Sequence, residues 1–94
     1  MTTLAIRIDA EHPSLPGHFP GRPVVPGVVL LDEVAALLPG PVTRIAQVKF
    51  VAPLLPGEAA RIELDLDQAE RRARFRVLRG NTLLASGDLR YAAS

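Results

Sequence analysis

The sequence predicts an α+β domain in which a curved antiparallel β-sheet wraps one central apolar α-helix, and three observations predict it. All nine prolines fall between Pro13 and Pro56, so the chain beyond them is free to build long ladder-bonded strands. A single segment, near Gly27 to Leu38, is apolar on nearly every side, which in a soluble protein requires burial from several directions. Two charged runs then mesh in one hairpin register. Glu58 to Glu70 hold five acids and one Arg, whereas Arg71 to Arg79 hold five Arg and no acid.

Taken in chain order, the first strand is expected near Leu4 to Ala10. The helix follows, with Pro26 at its first turn, where a missing N–H does no harm, and with Pro39-Gly40-Pro41 at its end, where proline cannot continue the hydrogen-bond pattern. The second strand is expected near Val42 to Ala52, and Pro53-Leu54-Leu55-Pro56-Gly57 reads as the turn after it. The third and fourth strands, Ala60 to Leu66 and Arg72 to Leu78, close around a loop at Gln68 to Arg71. In that register Glu63 faces Arg76, Asp65 faces Arg74 and Asp67 faces Arg72. The same register sets Ile62 against Val77, Leu64 against Phe75 and Leu66 against Ala73, giving one apolar and one ion-paired face. Gly80-Asn81-Thr82 suits a short hairpin loop. It leads into a last strand, Leu83 to Tyr91, with Leu83, Ala85, Gly87, Leu89 and Tyr91 on one face.

Residues 1–94 are expected to form a single domain with no separate regulatory or targeting module. A chain of this size buries only about 60–65% of its unfolded surface, and with no cysteine it has no disulfide to add, so a partner subunit is the expected support. A net charge of +1 argues against nucleic-acid binding. The N-terminus lacks the pattern of a signal peptide and no segment has the length of a membrane span, so a cytoplasmic location without membrane association is expected. Metal motifs, phosphate loops, dinucleotide fingerprints and cofactor signatures are missing from the sequence. The charged hairpin reads first as a solvated cross-strand ladder, and second as a docking surface for an acidic partner.

Asp32 and Glu33 interrupt the apolar helix, about 100° apart around its axis, so only one of them can enter a given small site. Upstream, His18 lies among Pro20, Pro23, Pro26, Gly17, Gly21 and Gly27, where fixed φ values hold an irregular path and make a rigid mount. His12 has no comparable setting and reads as an ordinary surface or core histidine. His18-Phe19-Pro20-Gly21-Arg22-Pro23, then Pro26-Gly27, then Asp32 fourteen positions after the histidine, resembles the β-hydroxyacyl-[acyl carrier protein] dehydratases of FabA/FabZ type, which have the hotdog fold. The likeness is specific over Glu11 to Glu33. It continues loosely through Val48-Lys49-Phe50 and Pro53-Leu54-Leu55-Pro56-Gly57-Glu58, and the short form is similar to dehydratases of aryl polyene assembly.

The resemblance implies dehydration of a β-hydroxyacyl thioester on acyl carrier protein to the trans-2-enoyl thioester. His18 and Asp32 would be the catalytic pair, from different subunits of a homodimer or higher oligomer, or of a heterodimer with a paralogue. Gly27, Phe19, Pro26 and Val28 would contact substrate, with the Gly27 N–H polarising the thioester carbonyl, and Arg22 would meet the acidic carrier. The chemistry needs a base for the C2 proton, which neutral histidine suits, and an acid for the departing C3 hydroxyl. Asp32 must hold a proton for that task. The helix start opposes this weakly, and burial among apolar side chains, expected around Asp32, favours it strongly. Two other readings stay open: a hotdog thioesterase in which an acid activates water, and a non-catalytic acyl or carrier-binding subunit, to which Ala36 points, since many members carry Gln there.

Overall fold

The computed structural model describes residues 2–9 and 24–93. Its elements are β1 (Thr2–Arg7), α1 (Gly27–Ala35), β2 (Val42–Phe50), β3 (Ala59–Asp67), β4 (Arg72–Arg79) and β5 (Thr82–Tyr91). The five strands form one antiparallel sheet in the order β1-β3-β4-β5-β2.

The register of β3 with β4 is the one the charge runs dictate: Glu63 opposes Arg76, Asp65 opposes Arg74 and Asp67 opposes Arg72. Alternation then carries Ile62, Leu64, Ala73, Phe75 and Val77 to the core face, all of them buried. The four-residue loop between these strands holds Arg71 at a φ of +51°. At the next hairpin Arg79 opposes Thr82, leaving Gly80 and Asn81 as the loop. Gly80 alone has a positive φ, +59°, at the first central position, which is the pattern of a II′ turn.

The last strand corrects one expectation. Its pairing with β4 jumps from Val77–Ala85 to Leu78–Leu83, so Leu84 is an extra residue and both Leu84 and Ala85 are fully buried. A bulge here inverts the alternation, and Leu84 rather than Leu83 enters the core. The Leu84 carbonyl accepts hydrogen bonds from the N–H groups of Val51 (2.8 Å) and Ala52 (3.2 Å), where the chain leaves β2.

The helix corrects another. It ends at Ala35, three residues short of the expected Leu38, and the chain tightens into i to i+3 bonds, Leu37 N to Val34 O (3.0 Å) and Leu38 N to Ala35 O (3.1 Å), before the prolines. Only Val29, Leu30 and Val34 are buried within it. One helix on one sheet has one covered side, so the sheet of a single chain does not wrap α1 all round. Val28 is 60% exposed, and β2, an outer strand of the sheet, leaves Ile45 55% exposed.

Tyr91 is buried, and its hydroxyl finds no hydrogen-bond partner among the described residues. A buried polar atom left unpaired costs free energy that a phenyl ring of the same shape would not. Tyr91→Phe is therefore expected to leave thermal stability unchanged or raise it by about 1–2 kcal/mol in chemical denaturation. A loss of that size would show that the hydroxyl is engaged.

Candidate active site

The site is built at the start of α1. Pro26 occupies the N-cap with φ −60° and ψ 145° and offers no side-chain oxygen, so the first-turn N–H groups receive no side-chain cap. A helix start of this kind presents donors and a favourable dipole to an oxygen that gains negative charge. Gly27 follows, and its lack of a side chain has a direct use. A Cβ there would lie 2.5 Å from Cζ of Phe50, so the aromatic ring sits on the bare backbone of the helix start. Around it runs an apolar groove of about 370 Å³, with Val25, Pro26, Gly27 and Leu30 on one side and Phe50 and Ala52 on the other. The banks are joined by a hydrogen bond from Val25 N to Leu54 O (2.9 Å).

Asp32 lies on the same helix as Gly27, and its side chain is exposed, whereas Glu33 is half-buried. Val28, Asp32 and Ala36, spaced four residues apart, form one exposed stripe. The apolar enclosure expected around Asp32 is thus not provided by its own chain. The reason is the one-sided packing of α1: Val29, Leu30 and Val34 take the sheet, and the stripe of Val28 and Asp32 looks away from it.

Of the residues singled out in the sequence, the structure brings Pro26, Gly27, Val28 and Asp32 together on one helix and its entry. His12, His18, Phe19 and Arg22 lie outside the described residues. Phe50 was not singled out as a site residue. The only signal for it is its place in the loosely matching Val48-Lys49-Phe50 stretch, and no periodicity brings β2 against the start of α1.

A larger concavity, of about 490 Å³, lies on the outer face of the sheet among Glu63, Arg72, Arg74, Arg76 and Asp88. Its charges are matched to one another. Arg72 Nε donates to both carboxylate oxygens of Asp88, at 3.0 and 2.9 Å, and Arg74 Nε approaches Asp88 at 3.9 Å. Arg76 pairs with Glu63, which Arg61 also approaches at 3.4 Å. The hydrogen bond from Arg76 holds the Glu63 carboxyl below its ordinary range against a smaller desolvation effect, and Arg72 does the same for Asp88. The ladder is therefore real in register, and its Glu63–Arg76 pair forms as expected, whereas Arg72 and Arg74, on an inner strand, reach across to Asp88 of β5 instead of to β3. Side chains satisfied in this way fit a solvated structural face better than a binding site. Among the described residues no cluster of His, Cys, Asp or Glu could hold a metal ion, and no helix is long and apolar enough to cross a membrane.

An antiparallel sheet of five strands with one helix against it, the groove at the helix start and an acid farther along the same helix define a protein of the hotdog class. A dehydratase heterocomplex from Xenorhabdus doucetiae, ApeI:P, superposes with a TM-score of 0.85 over 94% of this chain and 83% of that one, at 24% identity. A fluoroacetyl-CoA-specific thioesterase superposes with a TM-score of 0.68 over 95% of this chain and 84% of that one, at 20% identity, sharing the fold. In sequence, the model of the ApeI-like family, described as ApeI dehydratase, matches residues 1–88. The chain is 32% identical over 101 residues to a 3-hydroxyacyl-[acyl-carrier-protein] dehydratase FabZ of Alkaliphilus metalliredigens, covering 90% of this chain and 69% of the relative. The corresponding protein of Herpetosiphon aurantiacus is 29% identical over 103 residues. The chain belongs to the ApeI-like dehydratase family.

Proposed function

We propose that this protein dehydrates a 3-hydroxyacyl thioester carried on acyl carrier protein to the trans-2-enoyl thioester. The observation that carries the reading is the helix start itself: an uncapped first turn at Pro26-Gly27 opening onto an apolar groove, with Asp32 on the exposed side of the same helix, in a chain of the ApeI-like family. In this reading the thioester carbonyl accepts from the Gly27 N–H, and Phe19, Pro26 and Val28 flank the substrate. His18 removes the C2 proton. Asp32 hands a proton to the departing C3 hydroxyl, so that water leaves and the double bond forms between C2 and C3.

The exposed stripe of Val28 and Asp32 motivates the second part of the proposal. An acid that must hold a proton needs a drier surrounding than the single chain gives it, and a second subunit over α1 and the outer strand β2 would supply one while adding its own His18. The partner is a second copy of this chain or a paralogue, and the structural relative from Xenorhabdus doucetiae is itself part of a heterocomplex. Arg22 is the proposed contact for the acidic carrier, because the outer-face arginines are already paired.

The test is to incubate the purified protein with a 3-hydroxyacyl carrier-protein thioester and follow the mass of the acyl group. Loss of one water is the expected outcome. Release of free acid would make the protein a thioesterase, and an unchanged acyl group, with or without a paralogue present, would leave it a binding subunit.

A further inference from the structure

The stretch Pro53-Leu54-Leu55-Pro56-Gly57-Glu58, which joins β2 to β3, is folded back on itself by its own residue types. Glu58 N donates to Leu55 O (3.1 Å) and Gly57 has a φ of +82°, so Leu55 to Glu58 follow the pattern of a type II turn, with proline at the second position and glycine at the third. The turn returns the Glu58 side chain to its own start, where Oε1 accepts from Leu55 N (2.8 Å). Arg79, the last residue of β4, donates to the same oxygen through Nη1 (3.0 Å), and that nitrogen also donates to Pro53 O (3.0 Å). Both peptide groups that flank Leu54 are therefore held, and the Leu54 side chain between them is fully buried.

We infer that Glu58 and Arg79 are positioning residues for the Gly27 N–H, acting through the peptide group between Leu54 and Leu55; the inference rests on the dehydratase reading above. That peptide group is planar, so its N–H and C=O point in opposite directions and cannot turn independently. Glu58 takes the N–H, and the C=O on the other side accepts from Val25 N (2.9 Å). Val25 is buried, and Pro26 follows it with a ring-fixed φ of −60° and no N–H of its own, so the next donor along the chain is Gly27. Fixing Val25 thus fixes the direction from which the Gly27 N–H meets an oxygen. The carboxylate also polarises the amide from which it accepts, which makes Leu54 O the stronger acceptor for Val25. As a partly exposed ion pair the Glu58–Arg79 contact adds little to stability, so its effect is expected in the placement of one donor and not in the fold.

The experiment compares wild type, Glu58→Ala, Glu58→Gln, Arg79→Ala and, as a control, Arg76→Ala, which removes an ion pair from the same strand. On a 3-hydroxyacyl carrier-protein thioester, Glu58→Ala and Arg79→Ala are expected to lower kcat by about 10- to 100-fold, less than the roughly 10² to 10³ lost with an oxyanion donor itself, because the donor is displaced and not removed. KM should stay within about threefold, since a donor aimed at developing charge acts in the transition state. Glu58→Gln keeps an acceptor for Leu55 and should lose less, and Arg76→Ala should match wild type. Amide hydrogen exchange at Val25, followed by NMR on the same proteins without substrate, should be at least about tenfold faster in Glu58→Ala and unchanged in Arg76→Ala. Faster exchange at Val25 without turnover by any form, wild type included, would uphold the placement of the helix start and discard the dehydratase reading. Wild-type turnover with kcat unchanged in Glu58→Ala, or with the same loss in Arg76→Ala, would overturn the inference and leave that reading standing. If both alanine variants fail to fold, Glu58→Gln decides: faster exchange at Val25 with a lowered kcat upholds the inference, and wild-type values of both overturn it.

Discussion

His18→Ala and Asp32→Asn are each expected to lower kcat for a 3-hydroxyacyl thioester by about 10² to 10⁴, the range typical for loss of a general base or acid. Asp32→Asn is nearly isosteric and sits on the exposed side of α1, where no ion pair ties it among the described residues, so thermal stability of the single chain should move by no more than about 0.5 kcal/mol. An amide nevertheless cannot give a proton to the leaving hydroxyl. The double variant should be far less than multiplicatively worse than either single one, as for residues that act as a unit. Steady-state kinetics of the three variants beside their melting curves decide the matter. A variant that melts early but turns over normally would assign Asp32 to the subunit interface and remove it from the chemistry.

The hairpin of β3 and β4 was legible because two independent patterns, the apolar alternation and the opposed charges, select the same register, and a shift by one residue would spoil both. Pairing to β5 was not legible in the same way. Asp88 is one acid in a weakly charged strand, and nothing local says that it faces Arg72 and Arg74. The bulge at Leu84 leaves no mark either, since Leu83 and Leu84 are equally apolar and only the tertiary register decides which turns inward. For the helix the sequence reports total apolarity, which is the sum of what the sheet covers and what the open side would offer a partner. Reading that sum as burial within one chain placed Asp32 in an enclosure that Val29, Leu30 and Val34 do not build.

At the site the division is similar. Pro26, Gly27 and Asp32 could be placed from local rules, because a proline at a helix start and an acid one and a half turns beyond it are statements about a single helix. The place of Phe50 against Gly27 depends on β2 returning beside that helix, a contact between residues 23 positions apart in the chain that neither periodicity nor propensity encodes. His18 enters the account through family resemblance and the rigid composition of its loop, which is why the kinetic test above weighs on it most heavily.

Gly87→Ala is expected to destabilise the fold by about 1–3 kcal/mol, the usual cost of overpacking a well-filled core, although alanine is the better residue in an ordinary strand. Gly87 lies in β5 opposite Phe75 of β4 and Val48 of β2, and a Cβ at this position would fall 2.5 Å from Cε1 and 2.7 Å from Cζ of Phe75. The Phe75 ring is 3% exposed and belongs to the core cluster, so moving it displaces its core neighbours. The same Cβ would lie 2.8 Å from the Gln47 carbonyl oxygen, which is backbone and can retreat only if β2 moves with it. For a domain of this size the loss should lower the melting temperature by roughly 4–8 °C per kcal/mol. Phe75→Leu in the Gly87→Ala background should recover part of the loss, with a coupling of about 0.5–3 kcal/mol, since the ring clash disappears and the Gln47 contact remains. A rise in melting temperature for Gly87→Ala would mean that Phe75 does not pack across β5 in this way.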